Sequence, residues 1–276
     1  MVKLSKLFSV SILCFTLVIA TFGVNQSASA QSNEDVLVPP LLNASQLSED
    51  DVNAHLVRMG FNNEEIVTLP LQMKQDIANK GGIKREVTNT ESKVLKVGQD
   101  GEELIVPLYN DDYLYFSGYA VKTASYSSEN EYDIYMNYNW KKDPRFHYTD
   151  LIAISWQSQG SPVAGKASSR HTYATYINGG FTTRHFDNPL NSGSNLSGSA
   201  WDVKLHGLDF FEDYQYGYAK QTIRVPKSYE GTTAAFQLGY SHAVLPVSLS
   251  VSIGPLGIDF SGLGREDNLE RYNFTY

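Results

Sequence analysis

The sequence predicts a mainly β fold, an antiparallel two-sheet β-sandwich preceded by a short helical N-terminal segment. The stretch that carries this prediction runs from Tyr132 to Trp156. In its first half, side chains alternate between a more apolar and a more polar face of the predicted strand. The apolar face carries Ile134, Met136, Tyr138 and Trp140. A repeat of two residues is typical of a strand, because successive side chains leave opposite faces. Its second half, Leu151–Trp156, is almost wholly apolar, which indicates a strand covered on both sides. We expect a long hairpin or a corner here.

The same rhythm continues from Glu86 to the end of the chain. Val94–Val97 and Leu104–Val106 flank a Gly-Gln-Asp-Gly turn, which is typical of a hairpin. Further along, Val247–Ile253 alternates with serines, and Tyr272–Tyr276 closes the chain as a strand. Many short strands without intervening helices favour two stacked sheets, and no repeat of fixed length suggests a propeller or a solenoid. We therefore assign residues 83–276 to the β-sandwich domain.

Helical periodicity is confined to residues 46–82. Helix starts are predicted at Ser48, Asn62 and Pro70, because the first two begin capping patterns and proline favours the first turn. Gly60 and the pair Gly81-Gly82 stand where helix ends are expected. Residues 31–45 are polar and contain prolines, and we expect a flexible lead-in.

The first thirty residues have the three parts of a secretory signal peptide. Lys3 and Lys6 precede an apolar run, Leu7–Val24, and the run is followed by Ser27–Ala30. We expect cleavage after Ala30 and release of the protein outside the cell. A membrane anchor is disfavoured, because polar residues interrupt the run. No other stretch approaches the roughly 18 apolar residues of a membrane-spanning helix.

Cysteine and charge exclude several classes of function. Cys14 is the only cysteine and lies within the signal peptide, so the mature chain has no disulfide, thiolate metal ligand or cysteine nucleophile. Loss of Lys3 and Lys6 changes the formal net charge from −8 to −10. An acidic protein is a poor partner for nucleic acid and for anionic lipid headgroups, so we expect neither nucleic acid nor membrane as its partner.

Several short motifs of low specificity follow the signal peptide in a characteristic order. They are Met59-Gly60-Phe61 with Glu64-Glu65-Ile66, then Trp140 with Thr149–Trp156, then Gly239-Tyr240-Ser241-His242 before a serine-alternating strand. This order resembles that of exported proteins of Gram-positive bacteria with no assigned function. The resemblance implies an extracellular location and supplies no catalytic residues.

Catalytic motifs with a defined spacing are absent. The sequence has no HExxH zinc pattern, no phosphate-binding GxxxxGK[ST] loop and no GxGxxG fingerprint, so we predict no cofactor and no metal. The densest acidic group among aromatic residues is Asp209, Glu212 and Asp213, with His206 close by in sequence. These residues are the candidates for paired carboxylates of a hydrolase acting on glycans or peptides. The alternative is a solvated turn between two strands.

Tyrosine is unusually frequent, and nine of the eighteen tyrosines lie between Tyr109 and Tyr148. A tyrosine ring offers a rigid contact surface with a hydroxyl at its tip, which suits sugars and protein partners. Tyr135, Trp140 and Tyr148 are the candidate ligand-binding residues, together with the long loop Phe186–Ala200. The alternative is that tyrosine serves here as a good strand residue.

Three functions are compatible with these patterns. We favour a secreted, non-enzymatic protein that binds an extracellular partner, either a cell-wall polysaccharide or another protein. A secreted hydrolase using the residues around His206 is the second. The third is a membrane-active protein that inserts a β-hairpin, because Val244–Ile253 has the alternation and length of a membrane-crossing strand. Its return leg, Leu256–Leu263, is shorter and contains Asp259.

Overall fold

A computed structural model describes residues 36–106, 113–142, 144–177, 180–207 and 214–276. The helices are α1 (Glu49–Arg58), α2 (Asn63–Thr68) and α3 (Leu71–Lys80). The strands are β1 (Ile83–Arg85), β2 (Thr88–Val97), β3 (Glu103–Val106), β4 (Leu114–Ser125), β5 (Glu129–Trp140), β6 (Thr149–Trp156), β7 (Ser161–Ile177), β8 (Gly180–Asp187), β9 (Gly198–Lys204), β10 (Tyr214–Pro226), β11 (Thr233–Ala243), β12 (Ser250–Gly254), β13 (Gly257–Ser261) and β14 (Arg265–Thr275).

Twelve of these strands form two antiparallel six-stranded sheets, which confirms the predicted fold class. The first sheet has the order β1-β4-β5-β10-β7-β8, and the second has the order β3-β2-β14-β11-β6-β9. The two remaining strands, β12 and β13, pair only with each other. Because β5 lies in the first sheet and β6 in the second, the stretch from Tyr132 to Trp156 is a corner between sheets and not a hairpin.

The main core lies between the two sheets. From the first sheet it receives the apolar parity of β5, including Ile134 and Met136, and from the second it receives Ile154, Trp156 and Phe236. All five side chains are almost completely buried. The alternation in the sequence therefore predicts correctly which side chains of β5 face the opposite sheet.

Each sheet also has an outer face, and each outer face is covered in part. Helical residues such as Leu56 and Met73 pack on Tyr119 and Tyr135 of the first sheet. On the second sheet, the hairpin β12–β13 places its apolar side chains on the outer parity of β6 and on Ala200. The residues of this smaller cluster are Leu151, Ala153, Ala200, Ile253, Ile258 and Phe260. The second cluster explains why Leu151–Trp156 is apolar on both parities.

The helical segment begins and ends where the sequence predicts. The Ser48 side chain accepts a hydrogen bond from the Asp51 backbone, and Asn62 forms a capping box with Glu65. The chain before α1 is described from residue 36 onward. Val38 exchanges two backbone hydrogen bonds with Gly82, and this pairing ties the lead-in to the end of α3.

The predicted strand Val247–Ile253 is shorter in the structure. Only Ser250–Gly254 forms β12, and its partner β13 has five residues as well. In β10, the register with β7 shifts between Gln221 and Ile223. Within the described ranges, no helix has the length and apolar character needed to cross a membrane.

Candidate ligand-binding face

The outer face of the first sheet is the candidate functional site. The three helices cover only part of it, and above them the strands β4, β5, β10, β7 and β8 present side chains that no helix covers. Strand pairing places one residue from each of these strands in a single row. In order across the sheet, the row is Tyr115, Asn139, Tyr216, Thr172 and His185.

Five aromatic side chains occupy this open part of the face, and we call them the tyrosine band. They are Tyr113, Tyr115, Phe181, Tyr214 and Tyr216. Tyr113 is 52% exposed, Phe181 is 51% exposed and Tyr214 is 36% exposed. The Tyr214 ring stacks on that of Tyr216, with 5.7 Å between centroids, and the Phe181 ring meets Tyr214 edge-on at 5.4 Å. Exposed aromatic rings in mutual contact form a rigid surface of the kind that binding sites use.

Two lysines stand at the β4 end of the tyrosine band. The Lys141 ammonium lies 5.8 Å from the centroid of Tyr115, and the Lys142 ammonium lies 5.0 Å from that of Tyr113. Exposed cation–π contacts contribute only about 0.5–1 kcal/mol each, so a ligand can displace these ammonium groups at small cost. Burial and the neighbouring Tyr214 raise the pKa of Tyr216. The Tyr216 hydroxyl therefore keeps its proton at neutral pH.

A polar cleft of about 520 Å³ lies beside the tyrosine band on the same face. One wall is α3 and the opposite wall is formed by β7 and the end of β8, with Trp201 at the base. The residues that line it are Ser45, Gln72, Gln75, Asp76, Asn79, Ala167, Ser168, Ser169, Arg170, Asp187, Asn188, Leu190, Trp201 and Tyr218. Gln72 Nε2 lies 3.3 Å from Nε2 of His185, the last residue of the row described above, so the cleft and the tyrosine band are contiguous.

The chain matches no known protein family and no curated protein sequence. Among solved structures, it has a weak similarity to the collagen-binding subdomain ACE19 of the Enterococcus faecalis surface protein ACE, with 10% identity over 57% of this chain and 95% of that one and a TM-score of 0.32. The Clostridium perfringens NetB toxin in its membrane-inserted form has 8% identity over 69% of this chain and 97% of that one, with a TM-score of 0.28. Clostridium perfringens delta-toxin has 8% identity over 67% of this chain and 95% of that one, with a TM-score of 0.29. Similarities this weak carry no conclusion about function.

Two of the three candidate ligand-binding residues lie in the interior. Tyr135 is completely buried under the helices, and its hydroxyl donates to Asp76 at 3.2 Å and to Asp133 at 3.3 Å. Trp140 lies in the main core and donates from Nε1 to the Tyr240 hydroxyl at 3.0 Å. Neither side chain presents a surface to a ligand, because Tyr135 faces outward but is covered by the helices and Trp140 faces the opposite sheet.

Tyr148, the third candidate, is partly exposed. It stacks on Phe146 with 6.2 Å between centroids and lines a separate cleft of about 570 Å³ on the second sheet. That cleft also contains His147, Asp202 and Lys204. Tyr148 therefore stays a candidate, at a different place from the tyrosine band.

The hydrolase candidates are only partly within the described residues. Asp209, Glu212 and Asp213 lie outside them, directly before Tyr214 in the sequence. The His206 ring stacks on both Tyr173, at 4.5 Å, and Phe186, at 4.8 Å, and these two rings also stack on each other at 5.9 Å. Burial lowers the pKa of His206, and the charges of Lys204, Arg184 and His147 lower it further.

The long loop Phe186–Ala200 is anchored at several points. Leu190 bridges to Trp201, and the Asn195 side chain donates to the Ile253 carbonyl at 2.8 Å. The loop holds the hairpin β12–β13 at one end and contributes Asp187, Asn188 and Leu190 to the cleft at the other.

A buried acid–histidine pair escaped the sequence analysis, because its members are far apart in the chain. Asp150 is completely buried, its Oδ2 lies 3.0 Å from Nδ1 of His242, and the Tyr240 hydroxyl and the Ala243 amide also donate to it. Burial raises the pKa of Asp150 although these donors oppose the shift. The neighbouring Ser241 donates to Asp267 and not to the histidine, so the group is a link between β6 and β11. Among the described residues, no cluster of three or more histidines, cysteines or carboxylates could hold a metal ion.

Proposed function

We propose that this protein is a non-enzymatic binding protein, released outside the cell, whose tyrosine band holds a polysaccharide of the cell wall. The observation that carries this proposal is the set of partly exposed aromatic rings at β4, β10 and β8, along a row that crosses five adjacent strands. Because the rings belong to paired strands, little conformational entropy is lost when a ligand binds, and such preorganisation favours affinity.

The chemistry of the tyrosine band favours a sugar polymer over a protein partner. A sugar ring has an apolar C–H face, which stacks on an aromatic ring, and a rim of hydroxyl groups, which need donors and acceptors. The polar side chains of Asn139 and His185 in the same row supply both, whereas Thr172 is buried and its hydroxyl bonds to Nδ1 of His185 at 2.8 Å. A protein interface usually centres on a more apolar core than this.

The length of the tyrosine band also suits an extended ligand. Four spacings between neighbouring strands separate β4 from β8. At about 4.8 Å per spacing, the row measures roughly 19 Å. A polymer that crosses the strands can therefore contact several rings at once, and its affinity grows with the number of rings contacted.

Retention of the mature chain on insoluble wall polysaccharide tests the proposal. Phe181 and Tyr214 are exposed and contact each other, so the double variant F181A/Y214A removes the exposed rings on the β10–β8 side of the surface without opening the core. We expect retention to weaken about tenfold. Y229A is the matched control, because Tyr229 is 39% exposed and lies outside the sheets.

The thermal unfolding midpoint should be unchanged in both variants. Equal retention of the double variant and the wild type would contradict the role of the tyrosine band. Absence of retention on every polysaccharide, together with capture of a purified extracellular protein, would replace the polysaccharide by a protein partner.

A further inference from the structure

We propose that the cleft beside α3 is a second subsite, which binds a neutral terminal sugar unit of the polysaccharide that the tyrosine band holds. This inference rests on the proposed function. It adds where the end of the polysaccharide binds and that the terminal sugar is uncharged. The cleft volume of about 520 Å³ lies within the 300–1,000 Å³ typical of small-molecule sites.

Tyr218 provides the strongest indication that the cleft receives a ligand. Its side chain packs between the helices and the first sheet and the residue is only 8% exposed. No described residue forms a hydrogen bond with its hydroxyl, although Tyr218 lines the cleft. Because the ring is held between the helices and the sheet, this hydroxyl is a preorganised group on the cleft wall. A ligand hydroxyl in the cleft would supply the missing partner.

Charged residues of the cleft lining act on Tyr218, which belongs to the same lining. Burial raises the pKa of Tyr218 and the carboxylate of Asp76 raises it further, while Arg170 opposes the shift. Both of these charged residues line the cleft. The phenol therefore keeps its proton at neutral pH and acts as a hydrogen-bond donor toward the ligand.

The charged groups around the cleft are already paired with one another. Asp76 Oδ2 accepts from Lys220 at 2.7 Å, and Asp187 Oδ1 accepts from Arg170 at 2.8 Å. Each carboxylate of the lining therefore has a cationic partner and is not a free ligand for a metal ion, and the lining carries no excess positive charge for an anion. Phosphorylated or acidic sugars are therefore poorer ligands for it than neutral ones.

The remaining polar groups match a ligand rich in hydroxyls. The side-chain amides of Gln72, Gln75 and Asn188 can each donate and accept, and so can the hydroxyl of Ser168. Sugar hydroxyls also donate and accept hydrogen bonds, so each of these side chains can use both its donor and its acceptor on the ligand. Ala167 and Leu190, the latter 55% exposed, supply an apolar patch for the C–H groups of the ring.

The position of the cleft explains why it would hold a chain end. Gln72 belongs to the cleft and contacts His185 at the β8 end of the row, so a polymer that lies along the tyrosine band reaches the cleft at that end. α3 forms the wall on the other side of the cleft. A terminal unit can enter this space, and the rest of the chain stays on the open sheet.

Ligand-observed NMR with free sugars tests this inference. The neutral probes are glucose, galactose, mannose and N-acetylglucosamine, and the charged probes are glucuronate and glucose 6-phosphate. We expect saturable binding of at least one neutral sugar and weaker binding of both charged probes. Y218F, which removes only the hydroxyl, should weaken the binding about fivefold. The control Y229F should leave it unchanged.

Q75A is a second cleft variant for the case that Y218F fails to fold, because alanine is favourable in α3. The inference is overturned if no neutral sugar binds, if a charged probe binds more tightly, or if both cleft variants bind as the wild type does. The two proposals fail separately. Loss of sugar binding with intact polysaccharide retention removes the cleft subsite alone, whereas sugar binding without retention on polysaccharide removes the role of the tyrosine band.

Discussion

At the scale of single residues, Glu131 is the carboxylate that does most to join the helices to the sandwich. Its side chain is 5% exposed and accepts hydrogen bonds from Lys80 of α3 at 2.9 Å and from Arg224 of β10 at 3.3 Å. Burial alone would raise its pKa. The hydrogen bonds and charges of Lys80, Arg224 and Thr123 outweigh burial, and the pKa of Glu131 is lowered.

The variant E131Q should therefore be less stable at neutral pH. We expect a loss of about 2 kcal/mol in the free energy of unfolding, or about 4–8 °C in the midpoint. A lowered carboxyl pKa stabilises the fold above the ordinary value of 4.5, and this contribution disappears as the pH falls through the lowered pKa. The difference between E131Q and the wild type should accordingly shrink as the pH falls below 4.5. E102Q, at an exposed position of the β2–β3 turn, is the control. A difference that persists unchanged in acid would contradict this assignment.

At the scale of elements, the sequence pattern predicted the helices and strands well and the open surface poorly. Tyr115 and Tyr135 both point away from the main core, and both fit the same alternation. Tyr135 is buried because the helices of residues 49–80 return to cover it, whereas Tyr115 lies beyond their reach. Local periodicity assigns a side chain to a face, but only long-range packing decides whether that face meets solvent. For the same reason the pattern could not tell that β5 and β6 belong to different sheets.

The hairpin β12–β13 supports a prediction about docking on the second sheet. A Cβ atom at Gly239 would stand 2.8 Å from the Phe260 ring, which is closer than real contacts allow. We expect G239A to destabilise the protein by about 1–3 kcal/mol. In the F260A background the ring is absent, so the same change should cost much less. Chemical denaturation of the four proteins measures this coupling.

Gly254, at the tip of the same hairpin, provides the control, because a Cβ there would have no neighbour within 4 Å. G254A should change stability by less than about 0.5 kcal/mol. Additive effects of G239A and F260A would mean that the hairpin does not rest on β11. That result would reopen the possibility of a hairpin that leaves the body of the protein.

At the scale of the whole molecule, the helical layer and the sandwich should unfold together. The helices have ten, six and ten residues, and isolated helices shorter than about 12–15 residues are marginal in water. Their stability must come from the apolar contacts with the first sheet and from ion pairs such as Lys220–Asp76.

Two spectroscopic signals can test this cooperativity, because the chain separates them. The three tryptophans, Trp140, Trp156 and Trp201, all lie in the sandwich, so their fluorescence reports on the sheets. Circular dichroism at 222 nm responds strongly to the helices. We expect the urea midpoints of both signals to coincide, and D76N to lower them together, because Asp76 links α3 to β10 through Lys220. If the helical signal is lost at a lower urea concentration, the helices are a separate layer. The wall of α3 beside the cleft would then be detachable, and the cleft could open without unfolding of the sheets.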